Sequence, residues 1–392
     1  MRIETMKELM GYERVDGTFG IRNHVVVLPA VVCANGVVEA IAREVPEVVP
    51  LLHGHGCGRG GIDVKCHTTI LQHICRNPNV AGALVVGLGC EFVSAERIES
   101  VPAADAGRTI KRLMIQDEGG SQKVAAKGVE IVREMLAEAA RQEKKPFTPD
   151  KLIIGLECGG SDAFSGVTAN PGIGKASDTL VDLGATVILT ETTEMIGTSH
   201  ILERRAVNEE VRAKIAEIID NQEKKTVEVM GPAAKLAIAP GNQDGGMSCI
   251  REKSLGCITK AGSRPIQQVV DYAEIPTKKG VIIMDGPGYD AESITGLAAS
   301  GAQILIFSTG RGTPLGFPIA PVIKVASTDR LYHRMEDDMD INAGIVLEGG
   351  TLDDVGNSIM DLIERVISGE LTKAEINKQN GILALYTQTT SF

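Results

Sequence analysis

The sequence predicts an α/β protein built as two consecutive α/β units, each with a mainly parallel sheet covered by helices. Three observations carry that expectation. Short apolar runs alternate with longer amphipathic stretches, the order that puts a helix between neighbouring parallel strands. Many of the apolar runs end in glycine-flanked turns. The composition is turn-rich and aromatic-poor, with 44 Gly in 392 residues, 3% aromatics and no Trp, which suits a scaffold of tight strand-to-helix turns.

The elements follow in order. After a short polar lead, His24–Ala30 reads as a buried strand, Asn35–Arg43 as a helix and Val45–Leu52 as a second strand. The loop His53–Gly61 leads into a helix over Val64–Cys75. Ala81–Gly87 is a third strand, Arg112–Gln116 a short fourth, and Gln122–Gln142 a long amphipathic helix. The segment Arg141–Pro149 is charged and holds two prolines, so it reads as a linker with the boundary at residue 147. The first unit, 1–147, then carries the His53/Cys57 and Cys90 loops. The second, 148–392, carries the Cys158, Gly241–Gly246 and Arg311 loops. Its strands are read at Lys151–Glu157, Thr186–Thr190, Gly280–Asp285 and Gln303–Phe307. Its helices are read at Lys175–Leu183, Glu209–Gln222, Ile266–Tyr272, Ala291–Ser300 and Asp353–Ile367.

A formal net charge of -11 argues against nucleic acid or an anionic membrane as partner, because both need clustered Lys and Arg. There is no long apolar run and no apolar stretch near the charged N-terminus, so a cytoplasmic protein is expected. Eight cysteines without a Cys-x-x-Cys pair imply reduced thiols, available as ligands or nucleophiles, and exclude a zinc knuckle or a thioredoxin-type motif.

Four of those cysteines share one context, a glycine-flanked turn after an apolar run: Gly-His-Gly-Cys57-Gly, Gly-Leu-Gly-Cys90-Glu, Gly-Leu-Glu-Cys158-Gly-Gly-Ser-Asp and Ser-Leu-Gly-Cys257. A single Cys is usually a small hydrophobe, but four in one context point to a thiolate-rich site. Open α/β sheets bind ligands outside the carboxyl ends of their strands, where Cys57, Cys90 and Cys158 fall. Three thiolates there could hold three irons of a 4Fe-4S cluster and leave the fourth open to a hydroxy acid. The alternative is one Fe2+ or Mn2+ on harder ligands from His53, His55, Glu91 and Asp162. One histidine of His53-Gly-His55 could be a ligand and the other a general acid or base. Lys253 and Lys260, near Cys257, offer amines that desolvation could turn into a base. None of the glycine-rich stretches 241–246, 285–288 and 309–314 fits a nucleotide-binding fingerprint. Arg311, a cation between two glycines after a buried strand, reads as a bidentate carboxylate clamp.

Together these residues resemble the altronate dehydratase and galactarate dehydratase family. The resemblance runs through Gly11-Tyr-x-Arg-x-Asp-Gly17 with Gly20-x-Arg-Asn23, His53-x-x-Gly-Cys-Gly58, Gly87-Leu-Gly-Cys-Glu91, Gly155-Leu-Glu-Cys-Gly-Gly-Ser-Asp162 continuing to Pro171, Glu252-Lys-Ser-Leu-Gly256, Thr309-Gly-Arg-Gly-Thr-Pro314 and Asp340-x-Asn-Ala-Gly344. It implies an iron-dependent lyase that removes water from an altronate- or galactarate-like sugar acid to give a 2-keto-3-deoxy acid. The metal would acidify the C2 proton and polarise the leaving C3 hydroxyl. On this reading iron sits near Cys57, Cys90 and Cys158, Arg311 and Arg22 hold carboxylate, and His53, His55 or Lys253 is the base. Asn23, Ser161, Asp162, Asn242 and Asn342 are candidate hydroxyl contacts. A related branch releases sulfite from sulfolactate, and the Cys57 and Cys90 motifs favour dehydration over it. A non-catalytic iron-binding subunit is a third reading, against which the intact Cys, His and Arg motifs weigh. Family members often carry a small SAF-type domain ahead of the Gly-Tyr-x-Arg motif, so a separate small SAF-type subunit is an expected partner, as is a second copy of the chain in a homo-oligomer.

Overall fold

The computed structural model describes residues 6, 8–100 and 108–392. The chain is α/β, and its described residues form two parallel sheets and a small antiparallel one. The first unit holds a four-stranded parallel sheet in the order Val49–Pro50, His24–Pro29, Val80–Gly87, Thr109–Met114. Val80–Gly87 is buried at every residue, as a strand covered on both faces must be. Alternate side chains serve different layers. Val25 and Val27 pack with Ile41 and Val132 of the helices Asn35–Glu44 and Ser121–Ala139, whereas Val26 and Leu28 face Ile70 and Ile74 of the helix Gly61–Arg76.

The second parallel sheet has seven strands in the order Ile266–Val270, Gly280–Met284, Thr186–Leu189, Ile153–Cys158, Ile304–Thr309, Val322–Ala326, Ile341–Asn342. From Ile153–Cys158 the chain steps to one side of the sheet, and it returns to the other side through Ile304–Thr309. The crevice outside the carboxyl ends of these two neighbours is where such sheets bind ligands. One face packs on the helices Ala169–Asp182, Glu209–Met230 and Leu352–Ser368. The other face shares a single apolar layer with the first unit, in which Val26, Val85 and Ile70 cluster with Ile282, Leu297 and Phe307. Asn77 and Asn79 stitch this seam. The Asn77 amide donates to the carbonyls of Ala298 and Ala302, at 2.8 and 3.0 Å, and that of Asn79 to Gln303 and Ile319, each at 2.9 Å.

The segment read as a linker contains a strand. Lys145–Phe147 pairs antiparallel with Leu9–Glu13, which also pairs with Phe19–Gly20. Phe19 stacks on Phe147 at 5.0 Å, and a Cβ at Gly11 would lie 2.9 Å from both the Phe147 ring and the Gly20 carbonyl, which accounts for glycine in the Gly11-Tyr motif.

The expected helix Ile266–Tyr272 is instead the edge strand Ile266–Val270, paired in parallel with Gly280–Met284. Ile266, Val269 and Val270 satisfy helical spacing, but β-branched side chains and the preceding Pro265 suit a strand, and sheet pairing decides. The expected strand Val45–Leu52 shrinks to Val49–Pro50. Val322–Ala326 is hidden in the sequence by its central Lys324, yet that side chain is fully buried, its ammonium 3.5 Å from the centroid of the Phe307 ring.

Residues 383–392 return to the first unit. The Leu383 amide donates to Leu52 O at 3.1 Å, the buried Asp63 carboxylate accepts from the amides of Gln388 and Thr389, at 2.7 and 3.1 Å, and Phe392 N reaches Gly58 O at 3.3 Å. Among the described residues, no helix is long and apolar enough to cross a membrane.

Candidate active site

Four side chains converge at the carboxyl edge of the seven-stranded sheet. Cys158 closes its central strand, and Glu191 follows Thr186–Leu189 after a single residue. Glu194 lies in the one-turn helix Thr192–Met195, and Cys257 ends the helix Ile250–Cys257. One ligand atom from each lies within 4.8 Å of the others, and all four residues are buried. Cys158 Sγ is 3.7 Å from Cys257 Sγ and 2.6 Å from Glu194 Oε2, while the Cys158 amide donates to Glu191 Oε2 at 2.9 Å. Two ammonium groups balance the acids: Lys260 Nζ lies 3.0 Å from Glu191 Oε2, and Lys253 pairs with Glu194.

Local backbone chemistry brings these groups together. Glu191 has φ 68, a left-handed conformation that costs a non-glycine residue about 1–3 kcal/mol and survives only where its surroundings enforce it. Its Oε1 is buried without a hydrogen-bond partner. Glycines 166 and 256 let the Cys257 helix approach the loop that follows Cys158, since a Cβ at Gly256 would sit 2.9 Å from Gly166 Cα.

The charges polarise the cluster. The hydrogen bond from Cys257, helped by Lys260 and Lys253 against burial, holds the Cys158 thiol below its ordinary value. Burial pushes the Cys257 thiol well up. Burial also raises the Glu191 carboxyl, reinforced by Cys158 and Glu157. For Glu194 burial acts upward, but Lys253 and Lys260 outweigh it and the carboxyl stays low. Burial works against both ammonium groups, yet the surrounding acids keep Lys253 and Lys260 protonated above their ordinary range. A pair of thiols and a pair of carboxylates, dry and convergent, form a donor set suited to one divalent transition metal ion.

The neighbouring loop brings in further residues that the sequence singles out. Ser161 Oγ is 3.8 Å from Cys158 Sγ, and the Ser161 amide donates to Asn242 Oδ1 at 2.9 Å. Asp162 accepts from the hydroxyls of Ser165 and Ser327, both at 2.8 Å. The amides of Gly310 and Arg311 donate to Gly160 O at 2.7 and 2.9 Å, which ties the loops after the two central strands together. Asp162 and Arg311 border an open cavity of about 390 Å³ that Arg330 and Arg334 also line.

The remaining candidates sit elsewhere or are engaged otherwise. Cys57 and Cys90 are exposed, on loops that abut where Gly56 O accepts from the amides of Phe92 and Val93, and they do not join Cys158. Among the described residues, no other group of three His, Cys, Asp or Glu side chains gathers as closely as the Cys158 cluster. Glu91 Oε2 accepts from Gly89 N at 2.6 Å. His53 donates from Nε2 to the carbonyl of Pro29 at 2.8 Å and accepts the His55 amide at Nδ1 at 3.2 Å; burial pulls it down to about 4. The His55 ring is 5.1 Å from that of His67. Arg22 pairs with Glu375 at 2.9 Å and donates to the carbonyls of Val366 and Glu370, at 2.8 and 2.9 Å. Asn23 accepts from Arg14 and donates to Ala139 O, at 2.8 and 3.0 Å. Asn342 caps Gly344 N at 2.9 Å and donates to Asp329 at 2.8 Å. Sequence reasoning missed Glu191, Glu194, Arg330 and Arg334. The one signal for the first two is Thr-Glu-Thr-Thr-Glu, a pair of acids just after the apolar run Val187–Leu189.

Comparison with known proteins gives the family. Residues 149–390 match the family described as D-galactarate/Altronate dehydratase, C-terminal, and residues 11–140 match D-galactarate dehydratase/Altronate hydrolase, second domain. Altronate dehydratase of Bacillus subtilis is 37% identical over 379 residues, covering 94% of this chain and 75% of that protein. Galactarate dehydratase (L-threo-forming) of Escherichia coli is 35% identical over 383 residues, covering 92% and 72%. The (2R)-sulfolactate sulfo-lyase subunit beta of Chromohalobacter salexigens is 32% identical over 376 residues, covering 94% and 95%. By sequence matches that run through both units, the chain belongs to the D-galactarate/altronate dehydratase family.

Proposed function

We propose that this chain dehydrates a sugar acid to a 2-keto-3-deoxy acid, with a single Fe2+ held by Cys158, Glu191, Glu194 and Cys257. The observation that carries the reading is that four-residue donor set, buried beside an arginine-lined cavity at the crevice of the sheet, in a chain whose named relatives include dehydratases. The donor set supplies two thiols where an open 4Fe-4S cluster needs three, so a single ion is favoured over a cluster. The bound ion would supply Lewis acidity towards the enolate-like charge at C2 and the departing C3 hydroxyl.

The side chains do the rest. Arg311 takes the substrate carboxylate through its two-pronged guanidinium. Ser161, through its hydroxyl, and Asn242, by fixing the Ser161 backbone, orient the polyol. Lys253 Nζ, kept as an ammonium by Glu194, gives a proton to the leaving hydroxyl, which departs as water, and the neutral amine this leaves takes the C2 proton, so that Lys253 serves as both acid and base and ends the cycle as an ammonium. Lys260 stays charged against Glu191 and keeps the buried acids compensated.

The test is anaerobic purification with Fe2+, followed by metal analysis and a keto-acid assay on a panel of aldonates and aldarates. About one iron per chain, with turnover that vanishes on metal removal and returns with Fe2+, is the expected outcome; full turnover by metal-free protein overturns the reading. The relative described as a subunit beta, matched over 95% of its length, favours a second possibility, carbon-sulfur cleavage of sulfolactate, and supports assembly with a separate small subunit. Sulfite release from sulfolactate in the same assay would select it.

A further inference from the structure

The cavity beside Cys158 is lined by three arginines, more guanidinium groups than one carboxylate needs, together with Asp162 and Asp244. Arg311 hangs from the loop after Ile304–Thr309. Arg330 and Arg334 stand four residues apart on the helix Asp329–Arg334, so they lie one turn apart on one helix face. In a chain with 51 Asp and Glu against 40 Lys and Arg, none of these three guanidinium groups forms an ion pair or side-chain hydrogen bond among the described residues. Of the acids closest to hand, Asp329 faces His333 at 3.3 Å and accepts from Asn342, Asp162 is filled by serine hydroxyls, and Asp244 lines the same cavity without an ion pair to any of the three. Unpaired cations that repel one another across one cavity are kept together when an anion fills the space between them.

Their relative position is fixed. The helix is capped by Thr328, whose hydroxyl accepts from Leu331 N at 3.2 Å. It seats against the Arg311 loop at Gly312, where φ is +89 and a Cβ would meet Met335 and Leu331. Arg311 and the two helix arginines therefore line one cavity, which Gly310, through its amide bond to Gly160 O, joins to the Cys158 loop.

Resting on the sugar-acid reading above, we infer that Arg330 and Arg334 form a second anion subsite and that the substrate is a sugar acid with an anionic group at each end. A monocarboxylic aldonate ends in a neutral primary alcohol, which offers two guanidinium groups no charge and a single acceptor oxygen. The distal anion is the second carboxylate of an aldarate or the phosphate of a phosphorylated aldonate, since both offer the paired oxygens that guanidinium groups take.

The experiment compares kcat/KM for hexonates, hexarates and 6-phosphohexonates with Fe2+-loaded protein, wild type and the double variant Arg330→Gln/Arg334→Gln. Both positions are exposed, and melting temperature checks that the variant is folded. Wild type should prefer one dianionic class over the matching hexonate by at least tenfold, the preferred class identifying the distal group. The double variant should lower that preference ratio at least tenfold, with Arg330→Gln and Arg334→Gln alone intermediate. A wild-type preference for hexonates, or a ratio that the double variant leaves in place, overturns the inference. If no sugar acid is turned over, the dehydratase reading falls instead, and calorimetric binding of the same acids decides the subsite: dianions must bind at least tenfold more tightly than hexonates, and equal binding overturns it.

Discussion

Lys260 Nζ lies 3.0 Å from Glu191 Oε2, and neither side chain has any exposure to solvent. A buried pair of this kind adds little net stability compared with apolar residues, but removing one member leaves the other charge uncompensated. Lys260→Met should therefore lower the unfolding free energy by about 3–5 kcal/mol. Adding Glu191→Gln should recover part of the loss, because the two changes share one interaction. Denaturant titration of the single and double variants measures this, and a near-neutral Lys260→Met would show that the pair is not coupled.

Metal binding separates the two sets of cysteines. Cys257→Ser and Glu194→Gln should each lower bound iron by at least tenfold, whereas Cys57→Ser and Cys90→Ser, on exposed loops, should keep about one iron per chain. Elemental analysis of anaerobically prepared protein gives the answer. Acid-labile sulfide together with iron loss in the Cys57 and Cys90 variants would instead restore a cluster built on the exposed loops.

Arg311→Lys keeps the charge but loses the fork, so kcat/KM on the true substrate should fall more than tenfold. An unchanged value would remove Arg311 from carboxylate binding.

Arg22 should behave oppositely. It joins the first unit to Glu375 and to the carbonyls of Val366, in the helix Leu352–Ser368, and of Glu370 just beyond it, so Arg22→Ala should cost about 2 kcal/mol or more of stability. Its kcat/KM should stay within about twofold at a temperature where the variant is folded. A large kinetic loss without a stability change would give Arg22 back to the substrate.

His53 ties stability to acid. Its folded value, pulled to about 4 by burial, lies below the ordinary 6.5, so the unfolded chain binds the extra proton between those limits. Its contribution is fully present above about pH 6.5 and is lost progressively as pH falls towards 4. Unfolding free energy measured from pH 7 to 4 should decline, and His53→Gln should flatten that decline. An identical slope in the variant would mean that other groups carry it.

The glycine-flanked contexts of the cysteines mark strand ends in the sequence, and at Cys158 the structure places one. Such a context does not say which sheet the strand belongs to. Cys57 and Cys90 lie on loops of the four-stranded sheet and Cys158 ends a strand of the seven-stranded one, so the shared context was legible and the convergence was not. Glu191 and Glu194 stayed hidden because an acid after a strand looks like any solvated turn. Only the left-handed backbone at Glu191 and the buried lysines opposite mark them out. Arg22 and Asn342 sit in specific motifs, yet their partners are structural, since sequence cannot tell a side chain that binds substrate from one that pins a distant helix. Ile266–Val270 shows the same limit in secondary structure: three β-branched residues have helical spacing but strand propensity, and a neighbouring strand decides.

The return of residues 383–392 to the first unit has a consequence for biosynthesis. Asp63 and its partner Gln388 are 325 residues apart, a separation that takes roughly 16–65 s to translate at about 5–20 residues per second. Through that interval the nascent first unit carries an unfilled carboxylate and an uncovered His53–Gly61 loop, exposed to chaperones and proteases. Completion of the first unit thus waits for residues 383–392 to leave the ribosome.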